Sequence, residues 1–451
     1  MRGAVGRWLG SMLMLGGGIA HASDLLYYYE LALTHDPVYQ GEIAASQSTA
    51  EAKAQGFAGL LPNVSISANR NNNFNDVSDA SFGREAEFRF YGALVSLNVS
   101  QPIYRPQSWA IYQAGQAQAE GSQYRLAAAG HDLILKVVQA YLDVLLADKD
   151  IGLAQAQQQA ISEQLKQASR LFQGGVGTIT DVHEAQARSD VLRANLLESI
   201  NTLEAKRRAL QKVSGKYPKS LAHLADRIAL EAPDPKALDQ VLERALLLNP
   251  VIQFRRLLAE AAKFEIDRQR AGHYPSLDLV ASRSFSKNPS FAFSNTQNDA
   301  YQVGLQLSIP VYQGGFVNSK VRQVEADYRK AQQDLEEAME QVRLDVRREF
   351  QNVINSTEKS EALREAVGST KQAYVSAQKG FQAGTRTSVD VLNAQQQVVN
   401  AERDLHTARL NYLFSKTRLL AAMGELSAEH LAEFSRLYFN TAPSSSGASS
   451  P

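Results

Sequence analysis

Hydrophobic residues keep a period of two in four short stretches. Val64, Ile66 and Ala68 alternate with Ser65, Ser67 and Asn69, and Val95, Leu97 and Val99 alternate with Ser96, Asn98 and Ser100. The pattern returns at Leu277, Leu279 and Ala281, and again at Val303, Leu305, Leu307 and Ile309. That period belongs to a strand with one apolar face. Strands of about 10 residues are therefore predicted, two at 63–101 and two at 276–309, each the length that crosses a bilayer as a stave of a tilted barrel. The polar segments 71–87 and 287–299 read as the loops joining them, with Phe74, Phe88, Phe90, Tyr91, Phe291, Phe293 and Tyr301 near the edges.

Elsewhere the period is helical. Residues 107–172 are rich in Ala, Gln and Leu and contain no proline. At roughly 1.5 Å per residue such a helix reaches about 100 Å. Residues 315–379 behave alike, and Val321, Val324, Tyr328, Ala331, Leu335, Ala338 and Val342 fall at alternating steps of three and four, a coiled-coil seam. Each long helix meets a glycine turn, Gly174-Gly175-Val176-Gly177 or Gly384-Thr385-Arg386, and a returning helix follows, 180–213 or 388–423. Asp181 and Asp390 lie in the first turns of those returning helices, where a carboxylate suits the helix dipole. Shorter helices lead, 25–35 and 38–59 in the first half, 238–248 and 251–272 in the second.

The halves are therefore duplicates. Asp36-Pro37 matches Asn249-Pro250, Leu61-Pro62 matches Tyr274-Pro275, Gln101-Pro102-Ile103-Tyr104 matches Ile309-Pro310-Val311-Tyr312, and Gly215 matches Gly424. We read residues 1–22 as a signal peptide, 23–215 as the first repeat, 216–236 as a connector and equatorial region, 237–424 as the second repeat, and 425–451 as a C-terminal tail whose end, from Pro443, is low-complexity and disordered.

Alternation of this kind also suits a soluble sheet with one wet face. The export signal and the duplication favour the barrel. A sheet crossing lipid cannot leave open edges, because each unpaired backbone group there costs several kcal/mol. Four strands cannot close alone, so the chain must assemble: two copies would give eight strands, three would give twelve.

Composition narrows the function. Lys+Arg and Asp+Glu balance at 47 each, which removes the positive surplus that nucleic acid requires. Cysteine is absent, so neither a disulfide frame nor a thiolate metal site nor a lipid-attachment cysteine exists. The signal is Arg2 and Arg7, an apolar stretch 9–20, and Ala20-His21-Ala22; beyond it no run of about 20 uncharged apolar residues offers a membrane helix.

No catalytic constellation emerges, and we expect no enzyme, metal site or cofactor. The eight histidines are scattered, and His183-Glu184 reads as a solvated helix pair. Gly174-Gly-Val-Gly-Thr178 lacks the lysine of a phosphate loop and reads as a hairpin turn. Asp181 and Asp390, taken alone, read equally as helix caps.

With Gly384-Thr-Arg-Thr-Ser-Val-Asp-Val-Leu392 paired to Gly175-Val-Gly-Thr-Ile-Thr-Asp181-Val182, the chain resembles the TolC family of trimeric outer-membrane efflux and secretion ducts over nearly all of residues 23–426. The resemblance implies a mixed α and transmembrane β fold: four strands per chain in a twelve-stranded trimeric barrel, and long helical hairpins forming a periplasmic α-barrel tunnel. It implies a passive exit duct for proteins (type I secretion) or small molecules (drug efflux), in the outer-membrane lipid, joined by a periplasmic adaptor to an inner-membrane ABC or proton-driven transporter. Type I secretion is slightly favoured.

The resemblance also assigns residues. Asp390 lines the periplasmic constriction, and the family's second constriction aspartate is Asn393 here, which predicts a weaker cation trap. Arg386 corresponds to the arginine that latches neighbouring hairpins, with Asp181, Thr180 and Gln164 as polar partners; the family's latch tyrosine and glutamate are Phe381 and Gln378 here. The tips Gly175, Val176, Gly384 and Thr385 dock the adaptor, although a glycine turn is otherwise merely a chain reversal. The competing function is a soluble periplasmic coiled-coil adaptor or scaffold, which predicts no ion conductance.

Overall fold

The computed structural model describes residues 25–79, 84–225, 229–287 and 297–440. The signal segment, the run from Pro443 and most of the second inter-strand loop lie outside these residues. Each repeat begins with two helices, α1 (Leu25–His35) and α2 (Pro37–Ala58) in the first, α5 (Leu238–Leu248) and α6 (Pro250–Arg270) in the second. The matched Asp36-Pro37 and Asn249-Pro250 pairs are start signals. Asp36 Oδ1 accepts the Val38 and Tyr39 amides, Asn249 Oδ1 accepts the Val251 amide, and each proline stands at the first helical position, where no N–H is needed.

Strands β1 (Asn63–Asp79) and β2 (Arg84–Tyr104) follow in the first repeat, β4 (Ser276–Lys287) and β5 (Gln297–Ser308) in the second. They form one antiparallel sheet in the order β1-β2-β4-β5. β1 and β5 are its outer edges, so the sheet of one chain is open.

The first hairpin corrects the expectation of ten-residue strands joined by a loop at 71–87. β1 has 17 residues and β2 has 21, paired out to Asp79 and Arg84. Side-chain alternation fades in this polar stretch while the backbone ladder continues, because ladder bonds do not depend on side-chain polarity.

The long helices are α3 (Pro106–Gln173) and α7 (Phe316–Gln382), which return as α4 (Ile179–Ser214) and α8 (Ser388–Met423). At about 1.5 Å per residue α3 and α7 each extend about 100 Å. Their seam is real: Val324, Ala338 and Val342 are buried, and the stripe continues through Val346, Phe350 and Val353. Both returning helices stop at a left-handed glycine, Gly215 (φ 76°) and Gly424 (φ 79°). A Cβ on Gly424 would sit 2.7 Å from the Leu248 carbonyl at the end of α5, and one on Gly215 would sit 2.8 Å from the His35 ring at the end of α1. The repeated glycine is thus required twice over, by its φ and by close approach.

The core is centred on Tyr28, Tyr141 and Tyr412, which are fully buried. The tail contributes more than its composition foretells. α9 (Ala428–Tyr438) inserts Leu431, Phe434 and Tyr438 into this core, and β6 (Phe439–Asn440) pairs with β3 (His223–Leu224) of the connector. Tyr412 Oη donates to the Glu231 carbonyl at 3.0 Å and accepts its amide at 3.2 Å, strapping the connector to α8; burial pushes the phenol up to about 12. Among the described residues no helix is long and apolar enough to cross a membrane.

Candidate functional site

Two surfaces carry chemistry: the sheet and the hairpin tips. On the sheet, the register places Val64, Val99, Ala281 and Val303 in one row and Ser65, Asn98, Ser282 and Gln302 in the next. Rows alternate faces, so one face is mainly apolar, with Arg283 and Asp299 paired upon it, and the other mainly polar. The apolar face has no cover within the chain: Ile66 is 74% exposed and Val303 76%. On the opposite face Ser67 Oγ and Ser96 Oγ lie 2.7 Å apart. A contiguous apolar face beside a polar one is the arrangement of a wall between lipid and water. Arg105 closes its base, with Nη2 2.5 Å from Asp278 Oδ2.

At the far end, both hairpins turn on a glycine in the left-handed region, Gly175 (φ 72°) and Gly384 (φ 76°). Val176 is 82% exposed, and Thr385 is also exposed at its tip, where its hydroxyl donates to the Gly380 carbonyl at 3.1 Å. The returning helices are capped by threonines. Thr178 Oγ1 accepts the Asp181 amide at 3.2 Å and donates to Asp181 Oδ2 at 2.6 Å. Thr387 and Asp390 form a reciprocal capping box: the Thr387 amide and hydroxyl each donate to Asp390 Oδ2 at 2.9 Å, and the Asp390 amide donates back to the hydroxyl at 3.3 Å.

These donors set the carboxylates. The Thr387 amide, then its hydroxyl, then the Arg386 charge hold Asp390 below its ordinary value. The hydroxyls of Thr178 and, less strongly, Ser388 do the same for Asp181. Both are poised as anions.

The two hairpins are joined by a polar ladder. Ser388 Oγ donates to Asp181 Oδ1 at 3.1 Å, and Gln164 Nε2 donates to the Ser388 carbonyl at 3.4 Å. Arg188 Nη2 donates to Asn393 Oδ1 at 3.1 Å while also contacting Glu184 Oε1 at 3.3 Å. Gln157 donates to Gln396, and Arg403 grips Asp150 through two bonds of 2.8 and 3.0 Å. A groove of about 310 Å³ lies beside the ladder, walled by Ile161, Val191, Leu192 and Leu392.

Of the residues singled out from the sequence, Asp181, Gln164 and Phe381 come together around a small cavity with Ser388. Thr180 and Gln378 are exposed. Within the chain Arg386 makes no ion pair with Asp181 among the described residues; the position of Gly380 brings the Arg386 stem against it, and its charge acts on Asp390. Asn393 has a partner, Arg188, that sequence reasoning missed. Ser388, Gln157, Gln396, Asp150 and Arg403 were missed likewise, since contacts between repeats leave no local signal. Among the described residues no group of three or more histidines and acidic residues could hold a metal ion.

Comparison with known proteins agrees with this architecture. The family model described as outer membrane efflux protein matches residues 29–216 and 241–425, one match per repeat. The alkaline protease secretion protein AprF of Pseudomonas aeruginosa is 33% identical over 433 residues, covering 94% of this chain and 89% of AprF. Outer membrane protein TolC of Vibrio cholerae is 31% identical over 415 residues, covering 91% of this chain and 93% of that protein. The crystal structure of the outer membrane protein VceC of Vibrio cholerae superposes with a TM-score of 0.76 at 19% identity, covering 89% of this chain and 96% of VceC, a likeness of fold alone. This chain belongs to the outer membrane efflux protein family.

Proposed function

We propose that the chain is the exit duct of a protein-secretion system, working as a homotrimer that an adaptor and an inner-membrane transporter complete. Membership of the family makes it an outer-membrane export duct and sets aside the soluble adaptor or scaffold. Protein cargo is favoured by the likeness to AprF, an alkaline protease secretion protein, which the chain matches over nearly its full length.

One observation carries the reading: a sheet with an apolar face and two free edges, β1 and β5, on the same chain as a helical tube segment. Three copies would pair β1 of one with β5 of the next, removing every edge and completing twelve strands. The hairpins would then surround a tunnel whose inner ends bear Asp390 and Asn393. Three Asp390 carboxylates about an axis attract cations, and the Arg188 guanidinium beside Asn393 lessens that attraction. Arg386, Asp181, Thr180, Gln164, Gln378 and Phe381 lie where contacts between neighbouring hairpins would hold the tunnel shut. Gly175, Val176, Gly384 and Thr385 offer bare backbone and an exposed valine to an adaptor.

Purified protein should run as a heat-modifiable trimer and give discrete current steps in a planar bilayer. Arg386→Ser should raise single-channel conductance. A monomer that gives no current would remove the duct, and an unchanged conductance in Arg386→Ser would remove the latch.

A further inference from the structure

The apolar face of the sheet ends in a band of cations. Counting rows away from the helices, Leu277 and Leu307 begin the apolar face and Ala68, Val95 and Phe285 end it. From Leu277 to Phe285 the strand rises about 27 Å along its own axis, about 20 Å of height at a barrel tilt of about 40°, most of the about 25 Å lipid-facing band of a barrel. The next row on the same face holds Arg70 and Lys287, both opposite Ala93. Two rows further, Arg89 stands opposite Phe74. All three side chains are exposed.

Arg283, opposite Leu97 and Tyr301, lies within the apolar rows, and it is neutralised by Asp299 at 3.1 Å and covered by the Tyr301 ring at 4.8 Å. Arg70 and Arg89 lie over aromatic rings, Tyr91 at 5.5 Å and Phe74 at 4.6 Å. Neither they nor Lys287 make an ion pair with a described carboxylate. Such stacking holds a guanidinium flat at the membrane boundary while leaving its donors outward, the geometry that takes a phosphate through paired N–H groups.

We propose that Arg70, Arg89 and Lys287 form a binding surface for phosphate-bearing glycolipid headgroups of the outer leaflet. The sheet's distal end, remote from the periplasmic helices, is the end that faces that leaflet. The phosphate meets the cations and the acyl chains lie along Ile66, Val95 and Phe285. This rests on the barrel reading above.

The test uses the full-length protein in lipid nanodiscs and native mass spectrometry of retained lipid, with diphosphoryl lipid A and its dephosphorylated counterpart as probes. Wild type should retain the diphosphoryl form preferentially, and Arg70→Gln/Arg89→Gln/Lys287→Gln should lose about a hundredfold of that affinity, since each of the three cations near an anionic lipid surface contributes roughly fivefold. Should the triple variant fail to insert, Arg70→Gln and Lys287→Gln singly are expected to lose about fivefold each. Equal retention of both probes, an unchanged variant, or displacement of the lipid by millimolar inorganic phosphate alone would overturn the proposal. A chain that does not insert or conduct refutes the barrel, whereas one that conducts without phosphate preference refutes only this inference.

Discussion

Ser388 Oγ donates to Asp181 Oδ1 at 3.1 Å, joining the first turns of two returning helices that stand in different repeats. Each partner is also part of its own helix start, so the bond couples two caps as well as two hairpins. Rotation of one hairpin against the other must break it.

Ser388→Ala should therefore favour the open tunnel. Losing a hydrogen bond to a carboxylate costs about 1–2 kcal/mol, roughly a tenfold shift in the closed-to-open ratio. Single-channel recording in planar bilayers should show a larger or longer-lived open level, with trimer yield unchanged. Arg188→Ala, which frees Asn393, should act in the same direction.

Asp390 should make the duct sensitive to divalent cations and to acid. Asp390→Asn should weaken block from the periplasmic side while its amide oxygen still caps the helix. The Thr387 donors and Arg386 lower the carboxyl's affinity for protons, so the cap's contribution is full above the ordinary aspartate range and is lost as pH falls through the lower folded value. Block in wild type should fade with acidification only at or below that range. A midpoint above about pH 5 would mean that, in the proposed trimer, repulsion among the three carboxylates outweighs the caps.

His406 should contribute to the acid limb of stability. Its ring is half-buried in a groove between α3 and α8 near Lys149 and Arg409, and burial, followed by those two charges, pushes it from 6.5 down to about 4. A histidine with a lowered folded value contributes stability above its unfolded value that is lost as pH falls from about 6.5 to about 4. The loss amounts to about 3 kcal/mol. His406→Gln should flatten thermal midpoints across that window, and an unchanged slope would place the acid sensitivity elsewhere.

The two faces of the sheet should respond oppositely to charge. Ile66→Lys puts an ammonium on the apolar face at a cost of about 2–4 kcal/mol, and should cut the yield of membrane-inserted protein. Ser67→Lys, one residue on, faces the polar side and should insert normally. Equal yields from the two would invert or abolish the assigned orientation.

Much of this molecule is written locally. Alternation at Val64-Ile66-Ala68 and Leu277-Leu279-Ala281, the Asp36-Pro37 and Asn249-Pro250 starts, and the Gly215 and Gly424 stops each depend on contiguous residues, because periods and caps are properties of short backbone segments. Duplication then multiplied every signal. Contiguous residues alone thus fix the strand and helix order, the hairpin turns, and a sheet whose edges call for partners.

What distant segments do to one another depends instead on how the helices pack. Nothing near Asn393 foretells Arg188, nothing near Asp181 foretells Ser388, and the polar appearance of 71–79 hides a strand whose ladder is purely backbone. α9 and β6 belong to the core only because Tyr141 and Tyr412 leave a site for Phe434, Tyr438 and Phe439. Such contacts arise from the placing of helices far apart in the chain, and no local period records that placement.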